Sequence, residues 1–253
     1  PRGDGQHVLV LPGFMATDAS TLPLRRFLDA RGFRTSGWDL GRNLGFAAVG
    51  HQLRDLLARA NDRAGGPVSL LGWSLGAMVA LNLARRHGRR VGRLVLVSAT
   101  PRFTNTDDWD RGIADGVFDL FARTLSSDYR QTLSRFLSLQ VRGSDTSRST
   151  LRLLRSVLFA RGEPQQAALA GGLEILRRAD LRGWLGEIRQ PAHVIAGLRD
   201  RLVPAAASRA LAAALPAGRF TALPEAGHAP FVSHRDQFLA ALSAPAAAAE
   251  TPA

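Results

Sequence analysis

The chain of 253 residues contains no cysteine, which excludes disulfide bonds and thiolate metal ligands and fits a reducing compartment. It also lacks lysine, so all 33 of its basic residues are arginines. No run of about 18 apolar residues occurs, and the sequence therefore predicts no transmembrane helix. We expect a cytoplasmic monomer that needs no metal or other cofactor and binds neither membrane nor nucleic acid.

The net charge of +12 is concentrated in one part of the sequence. Between Arg123 and Arg161 there are eight arginines and only two acidic residues, which gives this stretch a net charge of +6. A localised basic surface predicts an acidic partner. The alternative is a solvated helix face in a chain that uses arginine for every cation.

Short apolar runs alternate with segments of helical spacing, the pattern of a parallel sheet covered by helices on both faces. Strands are predicted at residues 7–11, 33–40, 67–72, 93–98, 192–196 and 219–223. Helices are predicted at 22–28, 49–60, 77–86 and 205–215, with a last one from residue 233. The sequence therefore predicts an α/β fold with a mostly parallel sheet.

About ninety residues between Ala99 and Gln190 interrupt this alternation, because they contain no clear strand. An insertion at the carboxyl end of a strand lies over the crevice where such sheets bind ligands. We therefore predict a core formed by residues 1–101 and 183–243 and a helical cap formed by residues 102–182. The Ala/Pro-rich tail, residues 244–253, is predicted to be disordered.

The sharpest motif is Gly72-Trp73-Ser74-Leu75-Gly76, a GxSxG pattern. It directly follows the predicted strand VSLL and opens the predicted helix AMVALNLARR, which is the setting of a nucleophile elbow. Such a turn holds the serine hydroxyl above the sheet at a helix N-terminus, where the helix dipole favours developing negative charge. The motif predicts Ser74 as a nucleophile; the alternative is a serine in an inert glycine-rich turn.

A serine hydroxyl needs a base to take its proton, and the chain offers six histidines. His228 follows the last predicted strand in the segment EAGHAP, which places it at the carboxyl edge of the sheet. His234, the nearest rival, falls at the start of the last predicted helix. We expect the other histidines to be structural or on the surface: His7, His51, His87 and His193.

Asp200 is the candidate for the acid that orients the base. It follows the predicted strand AHVIA in the segment DRLVP, again at a carboxyl edge. The alternative is a surface aspartate paired with Arg199 or Arg201. The chain order Ser, Asp, His is that of α/β-hydrolases and predicts a serine hydrolase with this fold.

An oxyanion hole requires two backbone N–H donors aimed at the tetrahedral oxygen. Leu75, the residue after the candidate nucleophile, supplies one of them. The second is expected from the loop after the first strand, Pro12-Gly13-Phe14-Met15, with Phe14 as the donor.

With these residues in place, the chain resembles the pimeloyl-[acyl-carrier protein] methyl ester esterases of biotin synthesis, a family of capped α/β-hydrolases. The resemblance runs from about residue 67 to residue 242. It rests on the segments LLGWSLGAMVA, LVSATPRFTNTDDW, SRFLSLQ, GGLEIL, DRLVP and GHAPFVSH, several of which lie in the predicted cap.

The resemblance implies hydrolysis of the methyl ester on a pimeloyl chain carried by acyl carrier protein, with the triad Ser74, Asp200 and His228. It implies substrate contacts at Phe14, Leu75, Phe136, Leu137, Ser138, Leu139 and Gln140. It also implies carrier-protein contacts at Arg135, Arg148 and Arg152. At one position where the resemblance leads us to expect an arginine the chain has Gln131, with Arg130 beside it.

The first fifty residues depart from this family, because Pro12-Gly13 stands where it typically has His-Gly. Their segment from residue 12 to residue 45 is more similar to a separate group of lipase-like hydrolases. Two alternatives therefore stay open: a short-chain carboxylesterase of broad specificity, and a non-catalytic binding protein with the same fold. A complete Ser–Asp–His set argues against the second of these.

Overall fold

The computed structural model describes residues 3, 5–45, 50–140, 151, 152, 155 and 166–243. Its strands are β1 (His7–Leu11), β2 (Arg34–Ser36), β3 (Val68–Trp73), β4 (Val91–Val97), β5 (Ala192–Gly197) and β6 (Gly218–Leu223). They form one sheet in the order β2-β1-β3-β4-β5-β6, and every neighbouring pair is parallel. The predicted parallel α/β architecture is confirmed.

Helices connect these strands and cover both faces of the sheet. They are α1 (Asp18–Asp29), α2 (Gly50–Ala64), α3 (Leu75–Arg86), α4 (Asp115–Ser127), α5 (Tyr129–Gln140), α6 (Gln166–Arg178), α7 (Ala205–Ala214), α8 (Pro230–Ser233) and α9 (Arg235–Ser243). Among the described residues, none of these helices has the length and apolar character that a membrane crossing requires.

Alternating side chains of the strands supply two apolar cores. Leu9 and Leu11 pack with α2, α3 and α7 on one face, whereas Val8 and Val10 pack with α1, α8 and α9 on the other. A parallel sheet buried on both faces needs strands that are apolar nearly throughout, which is why β1 and β4 are recognisable in the sequence.

β2 is shorter than the predicted strand over residues 33–40, which was wrong in its second half. The backbone amides of Trp38 and Asp39 donate to the carboxylate of Asp18, over 2.5 and 2.6 Å. Asp39 adopts a left-handed conformation with φ of 51°, so an extended strand does not continue through it. The other five strands lie within two residues of their predicted bounds.

The segment predicted as a cap, residues 102–182, lies between β4 and β5 and contains α4, α5 and α6. Its two ends lie side by side, because Arg102 and Asp180 form an antiparallel bridge and an ion pair of 3.1 Å. Hydrogen bonds from Arg182 lower the pKa of Asp180 to about 2, so this carboxylate stays charged between the two arginines. The two ends of the segment are thus held together. The tail, residues 244–253, lies outside the described residues.

Candidate active site

Ser74 occupies a sharp turn between β3 and α3, as the GxSxG motif predicts. Its backbone has φ 55° and ψ −120°, a strained conformation for a residue with a side chain. The turn is fixed from both sides: the amide of Ser74 donates to Val97 on β4, and its carbonyl accepts from Ala77 in α3. The surrounding structure therefore holds the serine at the carboxyl edge of the sheet.

The two glycines of the motif are required by close approaches of the backbone. A Cβ at Gly72 would lie 2.5 Å from the Cα of Ala77, inside the first turn of α3. A Cβ at Gly76 would collide with the carbonyl oxygens of Leu11 and Pro12 at the end of β1. Only glycine at both positions lets α3 begin this close to the sheet.

His228 and Asp200 form a buried pair beside this turn. Nδ1 of His228 lies 2.7 Å from Oδ2 of Asp200, and the two side chains are 2% and 0% exposed. Because a carboxylate only accepts hydrogen bonds, Nδ1 carries the proton and Nε2 is the unprotonated nitrogen with a lone pair. An imidazole in this state is able to take a proton from a serine hydroxyl.

The second carboxylate oxygen of Asp200 fixes its orientation. Oδ1 accepts the backbone amides of Leu202 and Val203, over 2.8 and 3.0 Å. The loop of Asp200 is also joined to the loop of His228, since the amide of Arg199 donates to the carbonyl of Ala226 over 3.0 Å. Both oxygens of this carboxylate are therefore held by hydrogen bonds, one to the backbone and the other to the base.

Trp73 is a residue of the site that the sequence reasoning missed. Its indole N–H donates to the carbonyl of His228 over 2.9 Å, and the two rings lie 5.8 Å apart. Its ring also contacts Phe231 edge-on at 5.3 Å. The residue directly before Ser74 thus holds the loop of the candidate base. The only signal in the sequence is a tryptophan inside the elbow motif.

The two residues predicted to donate the amides of an oxyanion hole, Leu75 and Phe14, lie at or next to the elbow turn. Leu75 is the first residue of α3, and the first amides of a helix have no partner within it. The loop after β1 runs beside the elbow, because a Cβ at Gly13 would lie 3.4 Å from the Cβ of Ser74. Phe14 follows Gly13 directly, which brings the second predicted donor to the same place.

Asn43 holds this loop and was also missed. Its side chain is fully buried and donates to the carbonyl of Pro12 over 2.6 Å. Its backbone exchanges hydrogen bonds of 2.9 Å with Met15 and Ala16. Met15 has φ of 63°, a strained value that these contacts maintain. Asn43 therefore fixes the conformation of the loop that carries Phe14.

The other predicted substrate contacts are described in part. Phe14, Leu75 and Leu137 belong to one apolar cluster, so α5 reaches the same core as the elbow and the loop after β1 (residues 12–15), which we call the oxyanion loop. The hydroxyl of Ser138 donates to Ser134 within α5. For Phe136, Leu139 and Gln140 only the position in α5 is described.

Of the predicted carrier contacts, Arg135 on α5 and Arg152 are exposed, and Arg148 lies outside the described residues. Gln131 and Arg130 lie in the first turn of α5. The part of the basic stretch that is described therefore presents cations at the surface, as the charge pattern predicts.

Two histidines on the strands lie at the amino-terminal edge of the sheet, opposite the edge that carries Ser74. His7 and His193 stand at or next to the first residues of β1 and β5. Burial, followed by the charges of Arg219 and Arg93, lowers the pKa of His193 to about 3, which keeps this ring neutral. Its Nε2 lies 2.9 Å from the hydroxyl of Thr221, a structural contact. In the described part of the chain, no group of three or more His, Asp or Glu residues is placed to hold a metal ion.

Helix α6 touches the oxyanion loop through a glycine. A Cβ at Gly172 would lie 2.9 Å from the ring of Phe14 and 3.2 Å from the carbonyl of Leu44. Gly171, its neighbour in the same helix, faces open space. The absence of a side chain at Gly172 therefore lets the cap segment lie directly on Phe14, the residue predicted to carry the second oxyanion donor.

We expect Gly172→Ala to lower kcat/KM for ester substrates about tenfold, because the added methyl group displaces Phe14 and small misplacements near reacting groups are costly. Gly171→Ala is the matched control. It should keep wild-type activity and raise the melting temperature, since alanine favours a helix over glycine by about 1 kcal/mol. Steady-state kinetics and thermal unfolding of both variants test this; equal activities would show that the contact with Phe14 has no effect on the site.

Comparison with known proteins agrees with the fold. The profile of the α/β-hydrolase fold family matches residues 27–235. An esterase from Exiguobacterium antarcticum superposes with a TM-score of 0.80 over 95% of this chain and 91% of that protein, at 20% identity. The chain is thus an α/β-hydrolase.

Two relatives narrow this class. A pimeloyl-[acyl-carrier protein] methyl ester esterase from Nitrosomonas europaea is 41% identical over 193 residues, covering 76% of this chain and 75% of that protein. The enzyme of the same name from Xanthomonas oryzae pv. oryzae is 47% identical over 176 residues, covering 70% and 69%. The chain therefore belongs to this family of carboxylic ester hydrolases, which confirms the predicted enzyme class.

Proposed function

We propose that this protein hydrolyses the methyl ester of a pimeloyl chain carried by acyl carrier protein, a step of biotin synthesis. The observation that carries the proposal is the buried His228–Asp200 pair, 2.7 Å apart, beside the strained Ser74 turn. The names of the relatives supply the substrate. The proposal includes that the protein is a monomer and acts in the cytoplasm.

In the first half of the reaction, the hydroxyl of Ser74 attacks the ester carbonyl while Nε2 of His228 takes its proton. The negative charge that develops on the carbonyl oxygen is stabilised by the backbone amides of Leu75 and Phe14. When the tetrahedral intermediate collapses, the imidazolium returns the proton to the leaving oxygen. Methanol departs, and the acyl group remains on Ser74.

In the second half, His228 takes a proton from water, and the hydroxide formed attacks the acyl-enzyme. Collapse of the second intermediate returns the proton to Ser74 and releases the carboxylic acid, which loses its proton to solvent at neutral pH. Asp200 stabilises the imidazolium in both halves without itself becoming protonated. Only the methyl ester is cleaved, and the linkage of the acyl chain to its carrier stays intact.

One observation favours a second function, a short-chain carboxylesterase of broad specificity. Pro12-Gly13 stands in the oxyanion loop where the family typically has His-Gly, and Asn43 holds the carbonyl of that proline. The acyl site borders this loop. Turnover of pimeloyl-carrier methyl ester beside that of dimethyl pimelate separates the two functions, because only a carrier-dependent enzyme prefers the former.

We expect simultaneous replacement of Arg135, Arg148 and Arg152 by glutamine to lower kcat/KM on the carrier-bound ester about tenfold, since surface charges steer an acidic partner. The loss should shrink as salt is raised, because the Debye length is about 8 Å at physiological ionic strength. The loss on dimethyl pimelate should be much smaller.

The control replaces three other exposed arginines, Arg86, Arg89 and Arg90, by glutamine. They lie at the end of α3 and before β4, at the opposite edge of the sheet from Ser74. This variant removes the same charge and should keep the preference for the carrier. Equal effects of the two triple variants, or equal losses on both esters, would contradict carrier docking at the cap segment.

A further inference from the structure

A pocket of about 380 Å³ opens between α4, α5 and the loop after Asp200. Its walls are mainly apolar and include three phenylalanines, Phe103, Phe118 and Phe121. Arg135 on α5 and Arg201 also line it, and no described residue of its lining carries a carboxylate. We call it the α4–α5 pocket. An apolar cavity with two cations at its rim suits an apolar group that belongs to an acidic molecule.

The entrance of the pocket is itself apolar. Among the described residues, three large apolar side chains are more than half exposed: Val117 at 60%, Leu120 at 57% and Leu198 at 51%. Val117 and Leu120 both line the α4–α5 pocket, one turn apart on α4. Contiguous exposed apolar side chains beside a cavity mark a surface that another molecule covers, whereas a single one such as Leu198 does not.

The charge of the chain indicates which kind of molecule covers this surface. A second copy would bring another net charge of +12 against Arg135 and Arg201, so self-association through this surface is disfavoured. Arg201 adjoins Asp200, whose carboxylate holds His228. A molecule seated in the pocket therefore lies beside the triad, where a carrier delivers its acyl chain.

Resting on the proposed function, we infer that the α4–α5 pocket receives an apolar side chain from an acidic helix of the carrier protein, with Arg135 and Arg201 paired to carboxylates around it. This is helix-in-groove recognition, in which an apolar anchor supplies affinity and the charged rim supplies orientation. Leu120 and Arg201 thereby become determinants of carrier recognition beyond the arginines of the cap segment.

The test compares Leu120→Gln with Leu198→Gln, the same substitution at two similarly exposed positions. Leu120→Gln should raise KM for the carrier-bound ester about tenfold relative to its effect on dimethyl pimelate. This loss should persist at high salt, because burial of apolar surface is not screened. Arg201→Gln should also raise KM for the carrier-bound ester, and this effect should shrink as salt is raised. Leu198→Gln should match the wild type on both esters.

Three outcomes would overturn the inference. If Leu120→Gln behaves as Leu198→Gln does, the pocket is not a docking surface. If its loss is equal on both esters, the pocket binds the acyl chain rather than the carrier. If the wild type itself shows no preference for the carrier-bound ester, the proposed function fails and the docking surface fails with it. In the first of these outcomes the wild-type preference survives Leu120→Gln, and only the docking inference is overturned.

Discussion

Replacing Ser74 by alanine is expected to lower kcat for ester hydrolysis by about a thousandfold or more, because loss of a triad member costs several orders of magnitude. The backbone amide and carbonyl that hold the turn do not depend on the hydroxyl, so the fold should persist. Steady-state kinetics on a p-nitrophenyl ester measure the loss. A fluorophosphonate probe should add its mass to the wild type and not to the variant.

Ser98 provides a matched control one strand away. It follows β4 as Ser74 follows β3, and its φ of 49° is similarly left-handed. Its hydroxyl is buried and has no hydrogen-bond partner among the described residues, so Ser98→Ala removes an unsatisfied group and should be close to neutral for activity and stability. Retention of more than a tenth of wild-type activity by Ser74→Ala would show that the elbow serine is not the nucleophile.

The sequence was sufficient for the parts of the site that local patterns encode. The GxSxG turn depends on contacts between residues close in the chain, as the approach of Gly72 to Ala77 illustrates. Asp200 and His228 were found because each follows a predicted strand of the sheet, and the carboxyl ends of parallel strands meet at one edge. The places of the three residues after parallel strands therefore predict that they lie in one region of the fold.

The supporting residues were not predicted from the sequence, because their partners are distant along the chain. Asn43 acts on Pro12 from 31 residues away, and Trp73 acts on His228 from 155 residues away. Neither contact leaves a periodic pattern. The end of β2 was misjudged for the same reason, since the amides of Trp38 and Asp39 are taken by Asp18 from another element.

Asp200→Asn is expected to lower kcat by about three to four orders of magnitude while KM changes only a few-fold. The reason lies in how the carboxylate is used. Oδ1 accepts two backbone amides, from Leu202 and Val203, so the oxygen of an asparagine must take that position. Its amide group then faces Nδ1 of His228, where Oδ2 now accepts.

An amide N–H at that position donates to Nδ1 and forces the ring proton onto Nε2. Nε2 then has no lone pair with which to take the proton of Ser74, so the variant binds substrate but does not activate its nucleophile. Steady-state kinetics give kcat and KM separately. The chemical shifts of the imidazole nitrogens report the tautomer directly.

Glu225→Gln is the matched control for this change of tautomer. Glu225 lies in the same loop as His228, and its carboxylate pairs with Arg199 at the surface, with 53% of the side chain exposed. It thus fills the surface role that was the alternative for Asp200. Because exposed ion pairs contribute little, about 0–1 kcal/mol, the control should keep turnover within about threefold of wild type. If Glu225→Gln lost as much turnover as Asp200→Asn, or if Asp200→Asn kept wild-type kcat, another carboxylate would have to orient His228.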